Sequence, residues 1–168
     1  MTGYFQNHPK RESQIFLDRV EIPFDDIDAG GVLYNAHYLK YCDRARNTIF
    51  AKSHWTWDRL VASRCVLAVV SVEAEYRRAV RQGPIWIATQ FSMESERFLT
   101  ASHAFFPGEL SEAEARKLLL ANKKPLEKMR GVHFRAKFKL VPIALGDFIP
   151  ASLDPAFADA IFNECLFA

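Results

Sequence analysis

Between residues 24 and 38 the chain reads Phe-Asp-Asp-Ile-Asp-Ala-Gly-Gly-Val-Leu-Tyr-Asn-Ala-His-Tyr. Asp25, Asp26 and Asp28 crowd together, and Gly30-Gly31 follows at once. Such a run forms no regular element, and adjacent glycines admit backbone angles closed to other residues. The run ends where a helical pattern begins. A helix start offers free backbone N–H groups and a partial positive charge. It can therefore hold a carbonyl oxygen while negative charge develops on it. A carboxylate on the approach loop can serve as nucleophile or as general base for water. The chemistry this combination suits is acyl transfer. Of the three acids, Asp28 abuts Ala29-Gly30-Gly31, where backbone can approach a ligand closely. The same aspartates could instead cap the helix or complement its dipole, and spacing alone leaves both readings open.

The elements around this loop follow from periodicity. From Ile15 to Phe24, Val20, Ile22 and Phe24 alternate with Arg19 and Glu21, the two-residue period of a half-buried strand. After the loop, Tyr38, Tyr41, Cys42, Ala45 and Ile49 share one helical face, with Lys40, Asp43, Arg44 and Asn47 opposite. Asn35 stands where an N-cap is expected, and the helix should end near residues 52–54. A short helical piece is expected over Thr56–Ala62. Cys65–Val72 is nearly continuous apolar sequence, which predicts a strand buried on both faces. Gln82-Gly83-Pro84 marks a turn, and Ile85, Ile87, Thr89, Phe91 and Met93 form the inward set of the next strand. Glu94–Arg97 is a polar turn into a strand over Phe98–Phe106, an antiparallel hairpin. Ser111 and Glu114 have capping-box spacing, so 107–131 reads as a helical insertion of open role. Val132 to Leu140 alternates as a final strand, and Pro155–Phe162 closes the chain as a helix capped by Asp154. Strands following one long helix argue for an α+β fold with an antiparallel sheet, in a single domain over 1–168 with a flexible stretch at 1–14.

Composition narrows the function classes. The 168 residues are 49% hydrophobic and 25% charged, with 14 phenylalanines, so an aromatic-rich core or pocket is expected. A net charge of +2 gives no reason to expect a nucleic-acid partner. Arg77-Arg78 and Arg135–Lys139 could meet a phosphate-bearing ligand or form a solvated strand face. Cys42, Cys65 and Cys165 suggest neither disulfides nor a zinc knuckle, and His54, His103 and His133 lack ligand spacing. No metal and no cofactor is therefore expected. Without a membrane span or an apolar secretory stretch, the chain reads as cytoplasmic. No Gly-x-Ser-x-Gly elbow supports an α/β-hydrolase mechanism. Gly30-Gly31 lacks the Lys-Ser/Thr of a phosphate loop.

Three segments together resemble the 4-hydroxybenzoyl-CoA thioesterase superfamily, and are most similar to its branch of small acyl-CoA thioesterases associated with the Tol-Pal envelope system. They are Asp26-Ile27-Asp28-Ala29-Gly30-Gly31-Val32-Leu33-Tyr34-Asn35-Ala36-His37-Tyr38, then Leu39 to Arg46, then Val72 to Gly83. The resemblance covers 15–106 well and 132–150 loosely. It implies a hotdog fold, with an antiparallel sheet wrapped around one long central helix. It implies that Asp28 is the catalytic carboxylate and that backbone N–H near Asn35 polarises a thioester carbonyl. Asn35 stands where the Tol-Pal branch has histidine; Arg78 and Pro84 also depart from the family pattern. Tyr34, His37, Tyr38, Arg78 and Arg97 are carried as substrate-binding candidates. His37 reads equally as an exposed first-turn residue, and Tyr38 as core. The substrate implied is an acyl-CoA or acyl-carrier-protein thioester, and the assembly a homodimer or homotetramer. Two alternatives stand beside hydrolysis: a binding module without turnover, which an exposed Asp28 aimed away from any cavity would favour, and a hotdog hydratase or dehydratase pairing His37 with Asp28.

Overall fold

The computed structural model describes residues 11–95 and 97–162. Its strands are β1 (Arg11–Glu12), β2 (Phe16–Ile22), β3 (Cys65–Tyr76), β4 (Gly83–Ser95), β5 (Phe98–Pro107) and β6 (Phe134–Ala144). Its α-helices are α1 (Asn35–Lys52), α2 (Trp57–Ala62), α3 (Glu112–Ala121) and α4 (Pro155–Phe162). Every pairing is antiparallel, and the order runs β1-β4-β5-β6-β3, with β2 also paired to β4. Of the stretch expected to be flexible, 1–10 lies outside the described residues. Arg11 and Glu12 pair with Met93 and Ser92 because β4 extends past the end of β2.

α1 lies on one face of this sheet. Its Tyr38, Tyr41, Cys42, Ala45 and Ile49 are buried against Ile22, Ile85, Ile87, Phe91, Phe105, Phe134 and Phe138. These are the helical face and the alternating strand positions that periodicity marks. The opposite face is covered by the 107–131 stretch. Ala115 and Leu119 of α3, with Leu126, Met129 and Val132, pack on Trp86, Ala88, Ala104 and Phe106. The capping box forms: Glu114 N–H donates to the Ser111 hydroxyl, and Ser111 N–H donates to the Glu114 carboxylate. Trp86 Nε1–H donates to the Leu110 carbonyl at 2.8 Å. The chain enters this stretch so close to β4 that a Cβ on Gly108 would stand 1.8 Å from the Pro84 carbonyl oxygen.

β3 departs from expectation. Instead of being buried on both faces, it is half-buried at its start and exposed from Val69 onward, with Val70 55% accessible. The reason is position: among the described residues β6 is its only neighbour in the sheet, and its other edge has no strand beside it. Among the described residues no helix is long and apolar enough to cross a membrane.

A polar cluster is sealed between α1 and the sheet. Arg46 Nη1 lies 3.3 Å from His103 Nε2, and His103 Nδ1 lies 2.9 Å from Thr89 Oγ1. Arginine can only donate, so Nε2 accepts and Nδ1 carries the proton. Arg46 also pairs with Asp43 at 2.8 Å and lies over the Phe138 ring. Burial, with the nearby Arg46 charge, holds the His103 pKa well below the usual imidazole value. Unfolding lets His103 take up a proton that the fold refuses. Stability is therefore full above about pH 6.5 and falls as the pH drops below it. The slope from this one group is at most about 1.4 kcal/mol per pH unit. Urea titrations between pH 7 and 5 should show the fall in the wild type and a flatter profile in His103→Gln. Identical profiles would remove His103 from the acid response.

Candidate active site

The carboxylate loop is a small hairpin tied at both ends. Asp28 N–H donates to the Val32 carbonyl at 2.8 Å, Ile27 bridges Leu33, and Gly31 N–H donates to the Asp28 carbonyl at 2.9 Å. Leu33 N–H donates to the Val80 carbonyl, joining the hairpin to the β3–β4 connection. Gly31 has φ of 73°, a conformation costly for any residue with a Cβ. A Cβ on Gly30 would stand 3.1 Å from Asp28 Oδ1. The Gly-Gly pair thus serves both the turn and the room around the Asp28 carboxylate.

The two aspartates of the Asp-Ile-Asp run diverge. Asp26 is 6% accessible and faces α1. Its carboxylate accepts from the Tyr41 hydroxyl at 2.5 Å and from Lys40 Nζ at 2.9 Å, and His37 Nδ1 lies 3.1 Å away. Its carbonyl accepts from Tyr34 N–H at 3.0 Å. The Tyr41 hydrogen bond, then Lys40, holds the Asp26 carboxyl below the usual carboxylate range. Asp28 is exposed. Its Oδ1 accepts from Gly30 N–H at 2.8 Å and more weakly from Val32 N–H, and no hydrogen bond to Oδ2 is found among the described residues. The Asp28 charge still reaches the buried Tyr38 hydroxyl. Burial chiefly raises that phenol's pKa, and Tyr76 and Asp28 add to the rise.

The helix start departs from expectation by one residue. Asn35 is the first helical residue and Tyr34 the N-cap, because Tyr34 is the one in extended conformation (φ −61°, ψ 134°). Tyr34 makes no side-chain cap bond. The first-turn N–H groups of α1 beside the hairpin therefore have no side-chain acceptor of the ordinary capping kind.

The remaining candidates separate. Tyr34 is 54% accessible, with its ring edge-on to His37 at 5.6 Å. His37 is half-buried and points its Nδ1 at Asp26. Tyr38 is buried, and its hydroxyl accepts from Val80 N–H at 3.2 Å. Arg78 is exposed in the β3–β4 connection, near the hairpin. Arg97 is not brought to these residues within the chain. Next to it, Leu99 pairs with Leu140 and so with Val69, whereas Phe105 pairs with Phe134 and so with Tyr76. Six residues of strand, about 20 Å, separate the two ends. Sequence reasoning passed over Asp26, Tyr76 and Arg81. Tyr76 donates its hydroxyl to the Asn35 carbonyl, and Arg81 Nη1 lies 4.0 Å from where a Gly31 Cβ would be. The Asp26 role was readable in part, since Lys40 and Tyr41 stand three and four residues after His37 on α1 and flank it on the next turn. Among the described residues no group of three or more His, Cys, Asp and Glu side chains could hold a metal ion.

A family model described as the thioesterase-like superfamily matches residues 22–160. The chain belongs to the thioesterase-like superfamily. The match takes in the hairpin, α1, all of β3 to β6 and most of α4. Among the relatives of this superfamily member is an acyl-CoA thioester hydrolase, YbgC, of Escherichia coli, 34% identical over 67 residues, which are 40% of this chain and 50% of that protein. A YbgC acyl-CoA thioesterase of Helicobacter pylori is 47% identical over 36 residues, 21% of this chain and 27% of that protein. The chain spans about half the length of the first of these curated relatives. Among solved structures, Slr0204, a 1,4-dihydroxy-2-naphthoyl-CoA thioesterase from Synechocystis, superposes with a TM-score of 0.71 at 17% identity, over 89% of this chain and 97% of that one. A DHNA-CoA thioesterase from Staphylococcus aureus gives 0.68 at 15%, over 87% of each chain. At such identities the likeness shows the fold, the hotdog arrangement of an antiparallel sheet around a long helix.

In this superfamily member the Asp26 network ties the hairpin to α1. Tyr41→Phe removes the shortest of its bonds and leaves a buried carboxylate short of a donor, so it should lower stability by about 1–3 kcal/mol in urea unfolding at pH 7. Because the folded Asp26 pKa is depressed, the network's contribution is present above about pH 4 and fades as the pH falls further. No loss of stability in Tyr41→Phe at pH 7 would show that the hairpin is held by other contacts.

Proposed function

We propose that the protein is a cytoplasmic acyl-CoA thioesterase that works as a homodimer or homotetramer, with Asp28 as its reactive carboxylate. The observation that carries this reading is that Asp28 and the uncapped start of α1 belong to one hairpin-tied unit. The family membership and the acyl-CoA hydrolases among the relatives support the same chemistry. A thioester carbonyl would bind at the Asn35 and Ala36 N–H groups. Asp28 either attacks the carbonyl carbon or takes a proton from water that does so. The negative charge that builds on the carbonyl oxygen is met by the helix N–H groups, each such donor being worth about 3 kcal/mol of barrier. The tetrahedral intermediate collapses by breaking the carbon–sulfur bond. On the water route this gives the free acid, and the proton taken by Asp28 passes to the departing thiolate; on the nucleophilic route it leaves a mixed anhydride on Asp28, which a water molecule hydrolyses to the free acid while the thiolate takes up the proton released. Tyr34 and His37, ring to ring at the helix start, would line the approach, and Arg81 beside Gly31, with Arg78 in the same connection, would meet a phosphate-bearing tail.

The bare edge of β3 supports assembly. Val69, Val70 and Val72 expose apolar surface along a strand whose outer edge has no neighbouring strand among the described residues. Such an edge is stabilised by pairing with another strand, and a second copy supplies an identical one. The free thiols Cys42 and Cys65 fit a reducing compartment. One observation favours a second reading. Asp28 is exposed in the single chain, as a binding module without turnover would allow.

Thiol release from a panel of acyl-CoAs separates the readings. Wild type should turn over, and Asp28→Asn, nearly isosteric, should lose at least about 100-fold in kcat while remaining folded. Gly30→Ala, whose Cβ would press on Asp28 Oδ1, should also slow turnover. Undiminished turnover in Asp28→Asn would move the chemistry to another residue. Saturable acyl-CoA binding without turnover in either protein would establish the binding module. For assembly, sedimentation velocity should give a dimer or larger in the wild type and a shift toward monomer in Val70→Lys. A monomeric wild type would overturn the β3 interface.

A further inference from the structure

Tyr76 ends β3 half-exposed, and the chemistry above does not use it. Its position is nonetheless tightly determined. The hydroxyl donates to the Asn35 carbonyl oxygen at 3.1 Å. The ring stands edge-on to Tyr38, with centroids 5.1 Å apart, and is tilted against Phe134 at 5.1 Å. Behind it, Tyr38 stacks on Phe105 at 5.9 Å and Phe105 meets Phe134 at 5.0 Å. A ring gripped at its tip and packed along one flank cannot swing aside. Half of its surface is nevertheless open, beside the first turn of α1.

That location matters for a bound thioester. A carbonyl held by the Asn35 and Ala36 N–H groups lies within about one helical turn, roughly 5.4 Å, of the oxygen that Tyr76 grips. The hairpin that carries Asp28 bonds Val80 through Leu33 N–H, Val80 N–H bonds the Tyr38 hydroxyl, and Tyr76 packs on Tyr38, so the hairpin and Tyr76 meet at the same end of α1. The group nearest the open flank of Tyr76 is then a substituent of the carbonyl carbon. One substituent is the acyl chain and the other the sulfur with its amide-bearing arm. A fixed apolar aromatic surface suits the acyl chain.

We propose that Tyr76 is a specificity-determining residue that forms one wall of the acyl subsite and selects thioesters of planar aromatic acids over those of flexible alkyl acids. This inference rests on the thioesterase reading. An aryl group offers a flat face or a polarised edge to the Tyr76 ring. An alkyl chain of equal carbon number gains no such geometry and surrenders rotational freedom against a rigid wall.

The test compares benzoyl-CoA with heptanoyl-CoA, seven acyl carbons each, by thiol release. Wild type, Tyr76→Phe and Tyr76→Leu are assayed, with sedimentation confirming that assembly is retained. Wild type should favour benzoyl-CoA in kcat/KM. Tyr76→Leu, without the ring, should lower the benzoyl-to-heptanoyl ratio by roughly 2- to 10-fold. Tyr76→Phe keeps the ring but loses its tie to Asn35, and should shift the ratio less and in the same direction. If Tyr76→Leu fails to assemble, the Phe variant decides. A ratio unchanged in the variants, including an equal loss on both substrates, overturns the role of Tyr76 while leaving the thioesterase standing. A selective rise in KM for CoA esters relative to the matching N-acetylcysteamine esters would place Tyr76 on the thiol side and also overturn it. No turnover of either ester by the wild type removes the thioesterase reading and this inference together.

Discussion

A carboxylate taken out of water must find donors, and Asp26 finds its own on the first two turns of one helix. His37, Lys40 and Tyr41 stand at helical spacing, so a single side chain can reach all three. Tyr34 N–H closes the same arrangement by donating to the Asp26 carbonyl. The loop before α1 is therefore held to the helix it leads into. Asp28, two residues on, is exposed, its carboxylate held by Gly30 N–H in the Gly30-Gly31 turn. Neighbouring acids that look alike in sequence thus divide the work. One anchors the unit, and the other is left available.

The sheet is covered unequally, and the inequality organises the molecule. α1 covers one face over β4, β5 and β6, and the 107–131 stretch covers the other face over β4 and β5 and reaches β6 at Arg135. β5 is consequently buried almost throughout, whereas β3 is bare from Val69 onward. The Tyr76 end of this bare strand is also the end at which the hairpin, the start of α1 and the aromatic stack come together. In the proposed assembly, the surface that recruits a second copy and the surface that meets substrate are therefore neighbours. Midway along α1, the Arg46–His103–Thr89 cluster adds directional bonds to an otherwise apolar interface. Such bonds permit fewer relative positions of helix and sheet than apolar contact alone.

Periodicity and local motifs were legible because they are short-range. The face of α1, the alternation of β6, the hairpin of β4 and β5, the Ser111–Glu114 capping box and the limits of α4 depend on residues within a few positions of one another. The apolar run from Cys65 was legible as a strand. Whether anything covered it was not, because continuous apolar sequence signals two apolar contacts without naming their source. Tyr34 and Asn35 exchanged roles for a similar reason. Residue preference favours asparagine as a cap, but the hairpin holds Tyr34 in the extended conformation a cap requires.

By itself the sequence determined an α+β chain, a carboxylate-rich glycine turn placed before a long amphipathic helix, and membership in a thioesterase-like superfamily. Those properties reside in residue type and near spacing. Tertiary structure alone decided which aspartate is buried and which is open. It also decided that Arg97 lies a strand's length from Asp28, and that Tyr76, from β3, grips the first turn of α1. These outcomes depend on strand register and on how the helix is seated. A side chain's neighbours across a sheet are set by pairing partners dozens of residues away, which no local pattern encodes.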